Sequence, residues 1–379
     1  MKKLIILAVL MVFLVSAVMA CAEPAPTPAP APAPTPAPAP APAPTPAPKP
    51  APVPAPKPAP APEKVFDLKF NDWGPAAIGI GKLHMEAAKM IEERTGGKVK
   101  ITCYFSQALL KYGDTYRGVS SGITDISLYV LGATQGVHDI NEVIALPFLG
   151  LPDMETGAQI YKELRQKCPE LDQENAKTNT MWLDTRMMPP NQLHLVKKTA
   201  KVPEDLAGMK VIAGASFSDM LESVGAALIQ LGPPDWYMAL DRGLAQAHIL
   251  HWCAAYEFKI QELFKYHTLW GSGGAGMAPI GFLVNLETWN SLPPDYQQII
   301  VDTYTWVNEE SMKYDLALID TAVNAAKEAG HTLTYLTPEE IKPWADLMES
   351  YHEKWIKETE AKGWPAQSIY DEAKRLVAK

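Results

Sequence analysis

The sequence predicts an α/β fold of two similar lobes, with a cleft between them and one long helix strapped across both. Short alternating apolar segments interleave with segments of helical period, and that rhythm runs twice along the chain. Such strand–helix–strand repetition predicts parallel strands. A single helical pattern from Pro294 to Gly330 covers ~35 residues, roughly 50 Å of helix, too long for one small lobe.

The first half opens on "VFDLKF", which sets Val65, Asp67 and Lys69 against Phe66, Leu68 and Phe70 as a strand. A loop with Trp73 and Pro75 follows. Ile80, Leu83, Ala87, Met90 and Ile91 then recur at helical spacing, until Gly96 and Gly97 stop the helix. "KVKITCYF" alternates again, 113–121 reads as helix, "DISLYVL" as strand, and an apolar segment ends in "IALPFLG". In the second half "DLAGMKVIAG" is a turn entering a strand, and Ser216 is placed to cap a helix running to Val224. "AALIQL" and "AQAHIL" read as strands flanking a helix over Pro234–Arg242. After the loop 271–279 come the strand "IGFLVN" and the strap helix. Thr337 and Glu340 form a capping box for a last long helix ending near Gly363.

Ahead of this body lie two segments that do not fold with it. Lys2 and Lys3 precede an uncharged run from Leu4 to Ala20, the pattern of a secretory signal, residues 1–20. Val18-Met19-Ala20-Cys21 reads as a lipobox, with Cys21 as the acylated residue; an uncleaved membrane anchor is the competing reading. Either one places the body outside the cytoplasm. From Pro24 to Pro62 every even position is proline, so neither helix nor sheet ladder can form. Polyproline II remains, which makes residues 21–62 a semi-rigid tether with a reach on the order of 100 Å.

Charge and cysteines exclude several classes. The leader and tether hold four lysines and one glutamate, so residues 63–379 carry −12 against −9 for the whole chain. Nucleic acid as a partner needs dense positive charge and is excluded. Only Cys103, Cys168 and Cys253 follow Cys21, so at most one disulfide forms and no disulfide framework holds the fold.

The chemistry motifs are weak. "GSGGAG" at 271–276 satisfies G-x-G-x-x-G, but Pro279 and a strand follow where a dinucleotide site needs a helix. A flexible loop beside the cleft is the better reading. His248, His251 and Cys253 crowd within six residues, yet no fourth ligand is spaced to complete a zinc site, so no metal is expected. No nucleophile elbow, papain-like cysteine context or H-E-x-x-H occurs, and acidic pairs such as Glu92-Glu93 and Glu309-Glu310 fall on solvated helix faces. The residues describe a binder without a cofactor, not an enzyme.

The body from 64 to about 360 resembles the DctP-type substrate-binding proteins of TRAP (tripartite ATP-independent periplasmic) transporters. The resemblance rests on "EERTGGKVKI", "SGITDISL", "LPFLG", "KKTAKVPEDLAGMKV", "VGAALIQL…WYMALDRG" and "VNLETWNSLPPDYQQII", in that order. It implies a two-lobe periplasmic binding protein fold, with lobe I as 63–186 plus 278–304 and lobe II as 187–277 plus 305–379. It also implies a monomeric receptor that hands a small organic solute to one small and one large membrane subunit. The alternative is a sensor presenting its solute to a membrane receptor.

The departures from the family bear on the solute. The arginine that clamps a substrate carboxylate in the family falls at Ile212, and a second polar position falls near Gln192 or His194. A substitute clamp is expected at Arg186 in "LDTRMMPPN", on a strand-to-hinge crossing; an uncharged solute is the other possibility. Trp73, Tyr129, Tyr237 and Trp252 are the aromatic candidates for the cleft wall. Such walls suit an aromatic or apolar monocarboxylate better than a dicarboxylate.

Overall fold

The computed structural model describes residues 64–379, apart from 78 and 135 and the side chain of residue 234. The leader, Cys21 and the proline tether lie outside the described residues. All three later cysteines are free.

The elements run β1 (Phe66–Asn71), α1 (Gly81–Arg94), β2 (Val99–Tyr104), α2 (Thr115–Ser120), β3 (Ile126–Val130), α3 (Met154–Lys167), α4 (Glu170–Ala176), β4 (Thr180–Met187) and β5 (Asn191–Leu195). There follow β6 (Lys210–Ile212), α5 (Ser218–Ser223), β7 (Ala227–Ile229), α6 (Pro233–Asp241), β8 (Ala247–His251), α7 (Trp252–Glu257) and β9 (Tyr266–Leu269). The chain closes with β10 (Pro279–Asn285), α8 (Leu286–Ser291), α9 (Pro294–Glu328), β11 (Thr332–Tyr335), α10 (Pro338–Glu360) and α11 (Ala366–Val377).

Two sheets result, one ordered β2-β1-β3-β10-β4 and the other β11-β9-β5-β8-β6-β7. Parallel pairing holds for β1 with β2 and β3, and for β6 with β7 and β8. The all-parallel expectation fails at the crossings: β10 runs antiparallel to β3 and β4, and β5 antiparallel to β8 and β9. The reason is topological. The chain crosses from the first sheet to the second after β4 and returns after β9, and each crossing brings a strand back in the opposite sense.

Each sheet has its own core. In the first, Phe70, Ile91, Ile126, Phe282, Tyr304 and Val307 pack sheet, α1 and α9 together. In the second, Leu193, Val211, Phe217, Ile249, Trp270 and Trp344 join the sheet to α5 and α10. The strap helix α9 has the predicted length and touches α1 and β4 on one side and α7 on the other. Trp252 packs against its Ala322 and Ala326. The capping box forms as read: Glu340 N–H donates to Thr337 Oγ1 at 3.3 Å, and Thr337 N–H to Glu340 Oε2 at 2.9 Å.

The structure sets three local details. Ser216 lies in a turn of 3-10 helix, Phe217 occupies the cap position, and no side chain caps α5. The apolar segment ending in "IALPFLG" enters through 3-10 helix at 141–145. The last helix, α11, packs on α3 through Ile160, Leu164, Ile369 and Leu376, so the C-terminal residues grouped with lobe II bury their apolar face against the first sheet's layer.

Candidate functional site

Arg186 lies on β4, opposite Ile280 of β10, and only 4% of it is exposed. A buried guanidinium needs a counter-charge, and α9 supplies it. Nη1 of Arg186 donates to Asp315 Oδ2 at 2.5 Å and to the Met187 carbonyl at 3.3 Å. Both bonds leave from one nitrogen. No hydrogen bond from Nε or Nη2 to a described residue is found, so the side-on edge of the fork is the one left for a guest anion.

More polar groups gather around this pair from α7 and α9. Cys253 Sγ donates to the Asp315 carbonyl at 3.4 Å, and Tyr314 Oη donates to Glu257 Oε1 at 2.8 Å. Burial raises the Asp315 carboxyl, opposed by Arg186, and burial likewise raises Glu257, helped by Asp315. Burial, then the charge of Arg186, presses His251 down to about 3, so this imidazole is neutral at pH 7 and accepts the Ala254 N–H as the cap of α7. The loop after β1 closes over the group. A Cβ on Gly79 would lie 3.0 Å from Glu257 Oε1 and 3.1 Å from Tyr314 Oη. Segments from both sheets therefore meet here over the strap helix.

Trp73, in that same loop, is half-buried and stands edge-on to Tyr112 at 5.1 Å. Its indole Nε1 is buried with no partner among the described residues. The other sequence candidates have partners inside the protein. Gln192 uses both ends of its amide on the strand leaving β9: Nε2 donates to the Gly271 carbonyl at 2.9 Å, and Oε1 accepts the Trp270 N–H at 2.8 Å. Tyr129 is buried with its hydroxyl 3.1 Å from His138 Nε2. Tyr237 stands exposed on α6 and donates to Glu262 at 3.0 Å. Ile212 is buried among Leu240, Leu250, Ala255 and Phe264, and offers no polar atom.

His194 belongs to a chain of three imidazoles. Its Nε2 lies 3.0 Å from the Leu250 carbonyl and must carry the hydrogen, so Nδ1 accepts from His267 Nδ1 at 2.7 Å. His267 Nε2 in turn accepts from His331 Nδ1 at 3.0 Å. This tautomer order needs neutral rings, in keeping with burial pressing His194 down to about 4 and His267 to about 2. The chain ties β5 and β9 to the end of α9, and Trp252 stacks against it 4.5 Å from His267.

His248, His251 and Cys253 do not converge. His248 turns its ring to Trp236 at 4.7 Å, His251 caps α7, and Cys253 faces Asp315. The glycine loop 271–276 is wedged tightly: a Cβ on Gly273 would sit 1.8 Å from the Leu151 carbonyl oxygen, and one on Gly274 2.2 Å from that of Asn191. Its glycines serve close packing, not phosphate binding. A cavity of about 350 Å³ beside it is lined by Leu146, Phe148, Leu151, Trp270 and Ile341, without a charged side chain. The glycine loop and Phe148 of "LPFLG" line it, but none of the ligand candidates Arg186, Ile212, Tyr237, Trp252, Trp73, Tyr129, Gln192 or His194 does.

Asp315, Glu257 and Tyr314 escaped the sequence reading. Asp315 left one trace: it falls on the helix face of Tyr304, Val307, Ser311 and Ala322, a carboxylate within a buried stripe.

The profile of the bacterial extracellular solute-binding proteins, family 7 (DctP), matches residues 78–359. A monocarboxylate 2-oxoacid-binding periplasmic protein of Nostoc sp. is 26% identical over 221 residues, which are 56% of this chain and 58% of that protein. A TRAP solute-binding protein from a marine metagenome, specific for aromatic acid ligands and solved with metahydroxyphenylacetate, superposes with a TM-score of 0.73. It is 24% identical, covering 83% of this chain and 98% of its own. A second, from Rhodoferax ferrireducens with copurified benzoate, has a TM-score of 0.72 at 22% identity, covering 83% and 98%. These superpositions establish the two-sheet α/β fold as that of TRAP solute-binding proteins, and no helix among the described residues is long and apolar enough to cross a membrane. With its strap helix, the second sheet and all of the first sheet but β1 inside the matched span, the chain belongs to the family 7 extracellular solute-binding proteins, the DctP type that serves TRAP transporters.

Proposed function

We propose that the chain captures a small aromatic or apolar monocarboxylate between its two sheets and delivers it to the membrane subunits of a TRAP transporter. The observation that carries this reading is a buried arginine that uses only Nη1 in its hydrogen bonds to described residues, at the point where segments of both sheets meet over α9. A carboxylate there makes two charge-assisted hydrogen bonds, and the unpartnered indole N–H of Trp73 is a further donor close to the same loop. The aromatic acids held by the two solved relatives, and the monocarboxylates of the Nostoc protein, support the same class. Ile212 and Trp252, at the C-terminal ends of β6 and β8, are the apolar walls in this reading. The lobes that close are the two sheets, divided near 187 and 278. The protein acts as a monomer without catalysis, held outside the cytoplasm by a lipid on Cys21 and by the proline tether.

Thermal shift with benzoate and the uncharged benzamide tests this, on the wild type and on Arg186→Lys, which keeps a cation for Asp315 but loses the planar fork. Benzoate at 100 times its dissociation constant adds ~2.7 kcal/mol to wild-type stability, a rise of several degrees. Arg186→Lys should lose most of that rise, and benzamide should give little. Equal responses to benzamide, or from the variant, would remove Arg186 as the clamp.

A further inference from the structure

Arg186 meets its guest with one half already engaged. Asp315 is itself 5% exposed and holds Nη1, while Glu257 stands one turn of α7 beyond Cys253 with its carboxyl on Tyr314. Among the described residues Arg186 is the only cation bonded to either carboxyl, and the nearby His251 is neutral at pH 7. The free site thus balances one guanidinium against Asp315 before any solute arrives. A guest carboxylate on the remaining edge is already a second anion on that guanidinium, and a guest with two carboxylates would bring a third.

We propose that Asp315 is the specificity-determining residue of this site: by engaging one end of Arg186 it restricts the solute to a single carboxylate. The inference rests on Arg186 being the clamp. Asp315 acts through Arg186 and is a positioning residue, with no direct contact to the solute required. Charges a few ångströms apart in a partly buried site interact strongly enough to alter affinity by a factor of ten or more, roughly, so removing one should be plainly visible.

The probe pair is benzoate and isophthalate, the same ring with one and two carboxylates. Affinities are measured by titration calorimetry at pH 7.5 on the wild type, Asp315→Asn and Arg186→Lys, with circular dichroism to confirm folding. The wild type should prefer benzoate by roughly tenfold or more, and Asp315→Asn should narrow that preference by about tenfold while leaving benzoate bound. A merely structural role would weaken both acids alike and leave their ratio untouched, and that result overturns the inference. If benzoate binds the wild type and Arg186→Lys equally, or binds neither, the clamp itself is wrong and this inference falls with it. If instead Arg186→Lys loses benzoate while the ratio in Asp315→Asn stays fixed, only the role of Asp315 fails.

Should Asp315→Asn not fold, the wild type decides by itself. Binding isophthalate as tightly as benzoate would mean that Asp315 sets no limit on a second carboxylate, and that result overturns the proposal; a preference of roughly tenfold or more for benzoate is the expected one.

Discussion

Glu174 offers the sharpest test of how the first lobe is held. This carboxylate is buried on α4 and gathers a neighbouring turn: Oε1 accepts the N–H groups of Asp139 at 2.5 Å and Ile140 at 2.9 Å. Oε2 accepts the N–H of Asn141 at 3.2 Å and its side-chain Nδ2 at 2.7 Å. Glu174→Gln keeps the shape and one acceptor oxygen but turns an NH2 toward two buried donors. Two hydrogen bonds to a charged group are lost, at about 1.5–3 kcal/mol each. Relief of the neighbouring Glu142 carboxyl offsets part of this. The net expectation is a loss of about 3–5 kcal/mol, or roughly 6–10 °C in Tm for a body of this size. Burial alone would raise the Glu174 carboxyl. His138, Asn141 and the N–H groups of Ile140 and Asp139 outweigh burial and hold it below its ordinary value. A carboxyl lowered in the folded state stabilises above its unfolded value and loses that contribution as pH falls through the folded one. The gap between wild type and variant should therefore be full at pH 7 and shrink on acidification below about pH 4. Thermal denaturation followed by circular dichroism from pH 3 to 8 gives both numbers. A gap under about 2 °C at pH 7, or one that acid leaves unchanged, would refute the argument.

Two further outcomes follow from the same kind of reasoning. Burial, then the carboxylates of Glu174 and Asp139, push Glu142 up to about 7 against the pull of Lys362. Its stabilising contribution is complete below the unfolded value near 4.5 and lost as pH rises through 7. Because the side chain is only half-buried, solvent screening trims the loss to about 2 kcal/mol. Glu142→Gln should match the wild type at pH 4.5 and exceed it at pH 8, and parallel Tm profiles would sink this. Gly281 sits on β10 where its pairing with β4 shifts register, and a Cβ there would lie 2.1 Å from the Asp184 carbonyl oxygen. Gly281→Ala should cost more than about 3 kcal/mol or prevent soluble expression. A denaturation midpoint equal to the wild type would contradict that packing.

What the sequence determined by itself is everything set by local spacing. Phe66, Leu68 and Phe70 alternate because one face of β1 is buried, and α1 stops where Gly96 and Gly97 both take positive φ. The length of α9 and the Thr337–Glu340 box are likewise properties of neighbouring residues, legible wherever the chain folds. Family membership was readable for a related reason: short motifs in a fixed order survive at identities near 24%.

The tertiary structure alone decided the partners. Arg186 meets Asp315 across 129 residues, His194 meets His267 across 73, and the two ends of Gln192 close on a strand almost 80 residues away. No period or propensity reports such pairings, because they depend on which strand returns beside which, and in which sense. The antiparallel return of β10 is the case in point: a rhythm of strand and helix is the same whichever way the chain re-enters the sheet. Arg186 as a buried cation was within reach of the sequence. That its charge is half-claimed before any solute arrives follows only from the strap helix laying a carboxylate against it.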